Sequence, residues 1–178
     1  ALLDLAQEYA GDVMPGYTHM QRAQPVTCGH YLLAYVEMLG RDKDRFRDTR
    51  RRANLLPLGA CAMAGTSLPI DRQYVAELLR FDGVTRNSMD TTADRDFLLD
   101  FGYSMSVCAL HLSRLSEDFI LYSTNEFGFL EIDDSFCTGS SIMPQKRNPD
   151  ILELIRGKTG RSIAFLTHMF ILLKGLPL

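Results

Sequence analysis

The chain has 178 residues, of which 46% are hydrophobic, 23% charged and 10% aromatic. These proportions are ordinary for a soluble globular protein, and 13 glycines and 7 prolines are too few for a collagen-like, low-complexity or linker-dominated chain. The 19 basic and 22 acidic residues give a net charge of −3, so no general attraction to nucleic acid or to an anionic membrane is expected. The length favours one domain with a sizeable core.

Neither a membrane segment nor a disulfide framework is indicated. No stretch approaches the ~20 uninterrupted apolar residues of a membrane-spanning helix, since the best candidate, Met169–Leu173, is followed by Lys174. The N-terminus lacks an initiator methionine and the basic region of a secretion signal, which suggests a processed chain or a fragment. The cysteines are widely spaced and have no histidine at metal-ligand spacing, so we expect free thiols in a reducing compartment. They are Cys28, Cys61, Cys108 and Cys137.

Apolar residues at steps of three and four predict two long helices, each with a buried seam. The first seam runs through Met105, Cys108, Leu112, Leu115, Phe119 and Tyr122. The second runs through Leu152, Ile155, Thr159, Ile163, Leu166, Phe170 and Leu173. A third long helix is predicted from about Pro25 to Asn54, with apolar positions at Leu32, Val36, Leu39 and Phe46. Because helices of ~25 residues are about twice the usual length, we expect an all-α, long-helix bundle.

Between the long helices the sequence predicts one short helix and several loops. The short helix spans Asp71–Phe81, because Asp71 is a good N-cap and Gly83 lies just past the end. No segment shows sustained alternation bounded by hairpin dipeptides, so little strand is expected. The predicted loops are 11–24, 56–70, 82–92 and 126–148.

The segment Arg41–Arg52 carries seven basic and three acidic residues. We interpret it as a solvated helix face held by pairs three residues apart, such as Arg41 with Asp44 and Arg45 with Asp48. The alternative is a nucleic-acid-binding patch, which steeply salt-dependent binding would reveal.

Two polar loops each lead into a predicted long helix. In the loop Gly139–Asp150, Asn148 suits the N-cap and Pro149 the first helical position, so the loop ends where the helix dipole favours anions. The same loop carries two serines and two cations, including Lys146. A hydrophilic surface loop is the competing interpretation. A Walker-type phosphate loop is excluded, because no second Gly-Lys pair follows Gly139.

The earlier loop, Pro15–Pro25, repeats this arrangement, with Pro25 placed to open the helix. Its polar residues are Thr18, His19, Gln21 and Arg22. A lone histidine is more often structural than catalytic, so His19 by itself indicates little. The other three histidines lie in predicted helices without carboxylate or cysteine partners at metal spacing, and no metal site is expected. They are His30, His111 and His168.

The sequence GSSIMPQKRNP at Gly139–Pro149 resembles the signature loop of the fumarase/aspartase superfamily, whose members cleave C–N or C–O bonds and release fumarate. Four further segments look like the argininosuccinate lyase and delta-crystallin family within it. They are PGYTHMQRAQP (15–25), LPLGACAMAGTSLPIDR (56–72), NSMDTTADRDF (87–97) and LKGLP (173–177). Because family members are much longer, residues 1–178 are expected to be the central helical-bundle domain of a larger subunit.

The resemblance implies a carbon–nitrogen lyase that converts argininosuccinate reversibly to arginine and fumarate, in arginine biosynthesis and the urea cycle. It implies a cytoplasmic homotetramer whose long helices form a shared bundle and whose active sites each combine three subunits. No cofactor is implied, and neither nucleic acid nor a membrane is an expected partner. The isolated 178-residue chain should be inactive, because upstream substrate contacts would be missing.

The same resemblance assigns roles to individual residues. It makes Ser140 the general base, His19 the active-site histidine and Glu153 the carboxylate that orients it. The implied substrate-binding residues are Thr18, Lys146, Asn148, Gln21 and Arg95. The chemistry needs such groups, because negative charge that develops beside a carboxylate is stabilised by cations and amide donors placed in advance. A serine hydroxyl acts as a base only when its surroundings activate it.

Two alternatives to this enzyme remain open. The same scaffold serves as the lens protein delta-crystallin, and sister lyases act on adenylosuccinate, aspartate or malate. Nothing visible disables the catalytic set, since Ser140, His19, Lys146 and Glu153 are all present. An absorbance assay for fumarate with argininosuccinate would address the first alternative, and a panel of substrates the second.

Overall fold

The computed structural model describes all residues, 1–178, and helices dominate it. The all-α class predicted from the sequence is confirmed, and so are the three long helices. None of the helices has the length and apolar character needed to cross a membrane. The helices are α1 (Leu2–Glu8), α2 (Cys28–Ala53), α3 (Arg72–Leu79), α4 (Ser88–Ala93), α5 (Asp96–Tyr122) and α6 (Asp150–Leu173).

Little strand is present, as expected, but three pairs of short strands lie mainly in segments that were predicted as loops. An antiparallel hairpin joins β1 (Val13–Thr18) to β2 (Gln21–Thr27), and a parallel pair joins β3 (Leu55–Leu56) to β4 (Gly83–Val84). A second antiparallel hairpin joins β5 (Thr138–Gly139) to β6 (Arg147–Asn148). Strands of two residues are too short to show an alternating pattern, which is the signal that sequence reasoning uses.

The chain forms two compact units. The first contains Ala1–Asp42 and Ser106–Ser162, and the second contains Lys43–Met105 and Ile163–Leu178. Each long helix therefore contributes residues to both units. The expectation that residues 1–178 act as one central domain stays a prediction.

In the first unit, α2 and α5 meet through polar side chains. Asp118 accepts a hydrogen bond from the Tyr31 hydroxyl at 2.9 Å and another from the Tyr35 hydroxyl. Burial, together with the Asp118 carboxylate, raises the pKa of both phenols well above the ordinary value. Asp42 lies seven residues after Tyr35 on α2, and His111 lies seven residues before Asp118 on α5. The Asp42 carboxylate is 2.7 Å from Nδ1 of His111. Asp42 is only 2% exposed, so this pair is part of the interior.

In the second unit, the same two helices meet through a buried pair of hydroxyl groups. The Thr49 Oγ1 and Ser104 Oγ atoms lie 2.9 Å apart. In sequence, Thr49 is seven residues beyond Asp42, and Ser104 is seven residues before His111. A seven-residue repeat of inward-facing positions is the pattern of paired long helices.

The predicted apolar seam of α5 is correct in part, because Cys108, Leu115, Phe119 and Tyr122 are partly buried. Met105 and Leu112, which belong to that seam, are exposed. The buried positions of α5 are instead three small polar residues, Ser104, Ser106 and Ser116. Small side chains at these positions allow neighbouring backbones to approach closely.

The predicted seam of α6 is correct at Leu152, Ile155, Leu166 and Leu173, which are partly buried, as well as at Thr159. Thr159 is buried and donates a hydrogen bond to the carbonyl of Ala109 at 3.1 Å. Ile163 and Phe170, predicted to continue the seam, are exposed. Ser162 and Met169, each one residue earlier, are the less exposed positions. At Ser162 a polar residue takes the inward position while its apolar neighbour Ile163 faces outward.

The predicted N-cap of α3 is confirmed, whereas its predicted end is wrong. The Asp71 carboxylate accepts a hydrogen bond from the Tyr74 N–H at 2.9 Å. The helix ends at Leu79, and Arg80 forms the C-cap in the left-handed region, with φ of 59°. Gly83 does not end the helix, because it lies in β4.

The basic stretch of α2 forms salt bridges between residues three apart, as predicted, although Asp44 and Asp48 pair with other arginines than Arg41 and Arg45. Asp44 pairs with Arg47 at 2.9 Å rather than with Arg41. Arg51 lies 3.3 Å from Asp48, again three residues away.

The first hairpin replaces the expected loop at 15–25. Pro25 does not open α2, because it lies in β2 opposite Pro15, and the helix begins at Cys28. The turn consists of His19 and Met20, which have φ angles of 53° and 60°. Two successive positive φ angles are typical of a type I′ turn, which usually takes Asn and Gly. The exposed His19 therefore sits at the tip of a conformationally demanding turn.

Replacing His111 by leucine should destabilise a complete lyase subunit that contains this segment by ~2 kcal/mol. The buried Asp42 carboxylate would lose the hydrogen bond with His111 while most of the side-chain volume is kept. Chemical denaturation checks the value. Arg51→Ala, which removes an exposed pair on α2, should change stability by less than ~0.5 kcal/mol. Equal effects of the two substitutions would contradict the role given to the buried pair.

The turn geometry predicts different outcomes for two substitutions of His19. His19→Val should cost ~1–2 kcal/mol of stability, because a β-branched residue is strained at positive φ. His19→Asn should leave stability unchanged within ~0.5 kcal/mol, since asparagine tolerates the left-handed region. Denaturation curves of both variants would test this, and an equal loss for the two would argue against the turn.

Candidate active site

The segment that resembles the superfamily signature forms a hairpin directly before α6. Two residue pairs hold its base, Thr138 with Asn148 and Gly139 with Arg147. The Asn148 side-chain amide also donates to the Thr138 carbonyl at 3.1 Å. The seven residues between the strands, 140–146, form a mostly exposed loop, which we call the signature loop. Its position just before α6 follows the sequence prediction.

Ser140 and Lys146 stand at the two ends of the signature loop. The half-buried Ser140 accepts a hydrogen bond on Oγ from the Met143 N–H at 3.2 Å. The Lys146 N–H donates to the Met143 carbonyl at 2.9 Å, which closes a turn inside the loop. A backbone N–H directed at a serine oxygen stabilises negative charge on that oxygen. The exposed Lys146 side chain forms no ion pair within the chain.

The start of α6 differs by one residue from the prediction. The Glu153 N–H donates to the Pro149 carbonyl at 3.1 Å, so Pro149 is the N-cap and Asn148 lies outside the helix. The predicted capping role of Asn148 is wrong, because its amide bonds to Thr138 across the hairpin. No side-chain oxygen accepts from the N–H groups of residues 150–152. These donors favour an anion, although Asp150 and Glu153 in the first turn partly offset the helix dipole.

Arg147 makes contacts that sequence reasoning missed. Its Nε donates to the Asp134 carboxylate at 2.9 Å, and one terminal nitrogen donates to the Pro144 carbonyl at 2.8 Å. Asp134 begins the short 3₁₀ turn Asp134–Phe136. The only sequence signal was an acidic pair, Asp133 and Asp134, ahead of the basic pair in the loop.

His19, Thr18 and Gln21 lie together on the first hairpin, since Thr18 pairs with Gln21 across the turn. All three are exposed. Within this chain, no hydrogen bond or ion pair links His19 to Ser140 or Glu153. That His19 and Ser140 belong to one active site therefore stays a prediction.

An aromatic cluster connects the His19 hairpin to the chain segment after α5. The Tyr17 ring lies 5.6 Å from Phe127, 6.3 Å from Phe129 and 6.4 Å from Tyr122, the last residue of α5. The Tyr31 ring lies 5.6 Å from Tyr122 as well. Burial raises the pKa of the Tyr122 phenol, with smaller contributions from neighbouring Asp118 and Tyr17. The cluster gives the hairpin a rigid support.

A cavity of about 450 Å³ lies beside the His19 turn. Gln21 lines it together with two charged residues, Arg22 and Glu126, and with aromatic side chains of the cluster. The Gln21 amide is thus placed to contact a bound molecule in this cavity. A second cavity of about 790 Å³, largely apolar, lies in the same unit and is lined by residues such as Leu32, Phe119 and Leu152.

Arg95 belongs to the second unit. Its guanidinium donates to the carbonyls of Asp94 and Thr92 at 2.6 and 3.1 Å, where α4 ends. These bonds hold the arginine against local backbone. Its predicted contact with substrate stays a prediction. No group of three His, Cys, Asp or Glu residues in the chain is arranged to hold a metal ion.

Comparisons with known proteins identify the family. A family model described as lyase matches residues 1–163. The argininosuccinate lyase of Syntrophus aciditrophicus is 61% identical over the whole chain, which spans 38% of that protein. EDDS lyase, solved with formate and as a variant with fumarate, is 39% identical, with a TM-score of 0.94, over 99% of this chain and 35% of its own.

A class II fumarase from Schistosoma mansoni is similar at 25% identity and a TM-score of 0.76, over 93% of this chain and 40% of the fumarase. The chain spans less than two-fifths of the length of the curated relatives it matches. The family match nevertheless extends over most of the 178 residues, and the resemblance seen in the signature loop is confirmed. The chain belongs to the lyase family of the fumarase/aspartase superfamily.

Proposed function

We propose that this chain is part of an argininosuccinate lyase, which eliminates fumarate from argininosuccinate and leaves arginine. The curated relatives that match it at 56–61% identity are named argininosuccinate lyase. One observation carries the proposal on the structural side. The Ser140 oxygen accepts a backbone N–H within a loop that also holds an unpaired ammonium group, that of Lys146, directly before the N-terminus of α6.

Ser140 removes the proton from the carbon beside a substrate carboxylate. A serine hydroxyl is a weak base, and the Met143 N–H lowers the cost of negative charge on its oxygen. The electron pair left by that proton delocalises as negative charge into the neighbouring carboxylate, and it becomes the C=C bond of fumarate when the C–N electron pair leaves with the nitrogen. The Lys146 ammonium and the open N–H groups of the first turn of α6 stabilise that charge.

Asn148 both supports the hairpin and contacts the substrate. Its side-chain nitrogen supports the hairpin through Thr138. The oxygen of the same amide is free to accept a hydrogen bond, and the second hydrogen on the nitrogen is free to donate one. Thr18, at the end of β1, supplies a hydroxyl donor for a substrate carboxylate.

His19 donates a proton to the departing nitrogen or holds the leaving group, and Glu153 orients the imidazole. Histidine side chains ordinarily titrate near neutral pH, which suits proton transfer. Because no bond joins His19 to the signature loop within one chain, we assign the two to different subunits of a homotetramer. Gln21 and Arg95 complete the substrate contacts.

The exposed apolar residues of α5 and α6 support such an assembly. Phe101 and Leu110 on α5, and Phe165 and Ile171 on α6, are large, apolar and open to solvent in the single chain. Exposed apolar surface that forms a patch marks interaction sites, and we propose that neighbouring subunits cover these residues. The four cysteines are all free, which supports a cytoplasmic enzyme. Arginine biosynthesis is the matching process.

A sister lyase is the second candidate, because the EDDS lyase structures match this chain closely in backbone. The identity of 39% to EDDS lyase, against 61% to an argininosuccinate lyase, favours the argininosuccinate substrate. Fumarate release measured by absorbance, with argininosuccinate, adenylosuccinate, aspartate and malate compared, separates the candidates. A protein with a purely structural role, as in delta-crystallin, would release none.

Ser140→Ala in a complete subunit should lower kcat by about 10²–10⁴-fold, the usual contribution of a general base, with the oligomer unchanged. Fumarate absorbance gives the rate, and size-exclusion chromatography gives the oligomeric state. Ser141→Ala is the matched control, since it removes a hydroxyl from the adjacent residue of the same loop. Near-normal turnover by Ser140→Ala would remove Ser140 as the base.

Mixing two inactive variants tests the shared active site. His19→Asn and Ser140→Ala subunits, unfolded together and refolded, should regain measurable activity. Some sites in mixed oligomers would then receive an intact histidine from one chain and an intact serine from another. Each variant refolded alone should stay inactive. Absence of recovery in oligomers shown by mass spectrometry to be mixed would count against sites built from several chains.

A further inference from the structure

The ion pair between Arg147 and Asp134 closes the hairpin that carries the signature loop. The Arg147 Nε lies 2.9 Å from the Asp134 carboxylate. One terminal nitrogen of the same guanidinium lies 2.8 Å from the Pro144 carbonyl and 3.5 Å from the Lys146 carbonyl. A single side chain thus joins the segment before β5 to the second half of the loop.

The hairpin has few other restraints. Only two residue pairs and the Asn148 amide hold its base, and two-stranded hairpins are marginal by themselves. Ile142, near the tip, is 88% exposed, so the tip gains little from packing within the chain. The contacts of Arg147 therefore form a large part of what fixes the loop.

Asp134 is itself held in place. Asp133 caps the 3₁₀ turn by accepting from the Ser135 N–H at 2.8 Å and from the Ser135 hydroxyl. These bonds lower the pKa of the Asp133 carboxyl, the hydroxyl bond most. Asp134 therefore belongs to a turn that is held by hydrogen bonds. Its ion pair with Arg147 fixes the loop to that turn. Ser140 lies midway between the two partners in sequence.

We propose that Arg147, paired with Asp134, is a positioning residue that holds Ser140 and Lys146 in their reactive arrangement. The inference rests on the proposed function, because it assigns the pair a task in the elimination. Arginine suits this task because its planar guanidinium bonds several acceptors at fixed angles, which the ammonium of lysine does not.

The exposure of the pair separates a positioning task from a general structural one. The Arg147 and Asp134 side chains are 50% and 74% exposed, and ion pairs this open add little to global stability. Removal of this ion pair should therefore lower kcat, because turnover responds to small displacements of the reacting groups. The melting temperature should not change.

The test compares Arg147→Met, Asp134→Asn and the double variant in a complete lyase subunit. We expect each single change to lower kcat about 10–100-fold, with a smaller change in KM and an unchanged melting temperature. The double variant should lose no more than Arg147→Met alone, because both substitutions break one interaction. Arg147→Lys should retain more activity than Arg147→Met, because lysine keeps the positive charge but lacks the planar guanidinium that bonds several acceptors.

Arg156→Met provides the matched control. Arg156 pairs with Glu117 at 2.8 Å, and the two side chains are 42% and 47% exposed, but the pair joins α6 to α5 outside the hairpin. This variant should keep kcat within about twofold. An equal loss in Arg156→Met, or losses that multiply in the Arg147/Asp134 double variant, would overturn the proposal.

Amide hydrogen exchange gives a readout that needs no activity. Arg147→Met and Asp134→Asn should speed exchange at the N–H groups of Met143 and Lys146, which are bonded inside the loop, and leave α6 unchanged. Unchanged exchange at these groups would refute the positioning role. If the unmodified subunit fails to cleave argininosuccinate yet the exchange result holds, the proposed function fails and the hairpin closure stands.

Discussion

The contact on which the first unit depends is the buried polar pairing of α2 with α5. Two carboxylates, Asp42 and Asp118, lie between these helices and are bonded to His111 and to the hydroxyls of Tyr31 and Tyr35. A buried carboxylate without partners is costly, so the helices must meet in the one register that satisfies both. A shift by one heptad would place each carboxylate opposite the wrong partner.

This register also determines where the site residues stand. Asp118 lies one turn before Tyr122, where α5 ends and the aromatic cluster begins. The cluster supports the His19 hairpin through Tyr17, and the chain then continues through the 3₁₀ turn to the signature loop. The bonds of Asp118 with Tyr31 and Tyr35 thus lie one helical turn from the aromatic cluster that contacts the first hairpin.

The sequence predicted the long helices well, because a long run of apolar residues at steps of three and four is compatible with few structures other than a helix. It predicted their buried faces less well, since periodicity shows which residues share a face but not which face turns inward. On α5 the interior takes Ser104, Ser106 and Ser116, which no hydrophobic criterion selects. The Asp71 cap was predictable because it depends on one local hydrogen bond.

The site shows a similar division. The resemblance of the signature loop named Ser140, Lys146, Asn148 and Glu153, and the structure gathers them in one hairpin and the helix turn that follows. The geometry of that loop was not predictable. Its strands have two residues each, and the Asn148 amide bonds across the hairpin instead of capping α6. The first hairpin escaped notice because its turn is His-Met, without the asparagine or glycine that usually signals one.

Four large apolar residues are exposed on the long helices α5 and α6, namely Phe101, Leu110, Phe165 and Ile171. In the homotetramer proposed above, neighbouring subunits would cover these residues, so the stability of the active form would depend on protein concentration. A substitution far from the reacting groups would then abolish activity if it weakened subunit association.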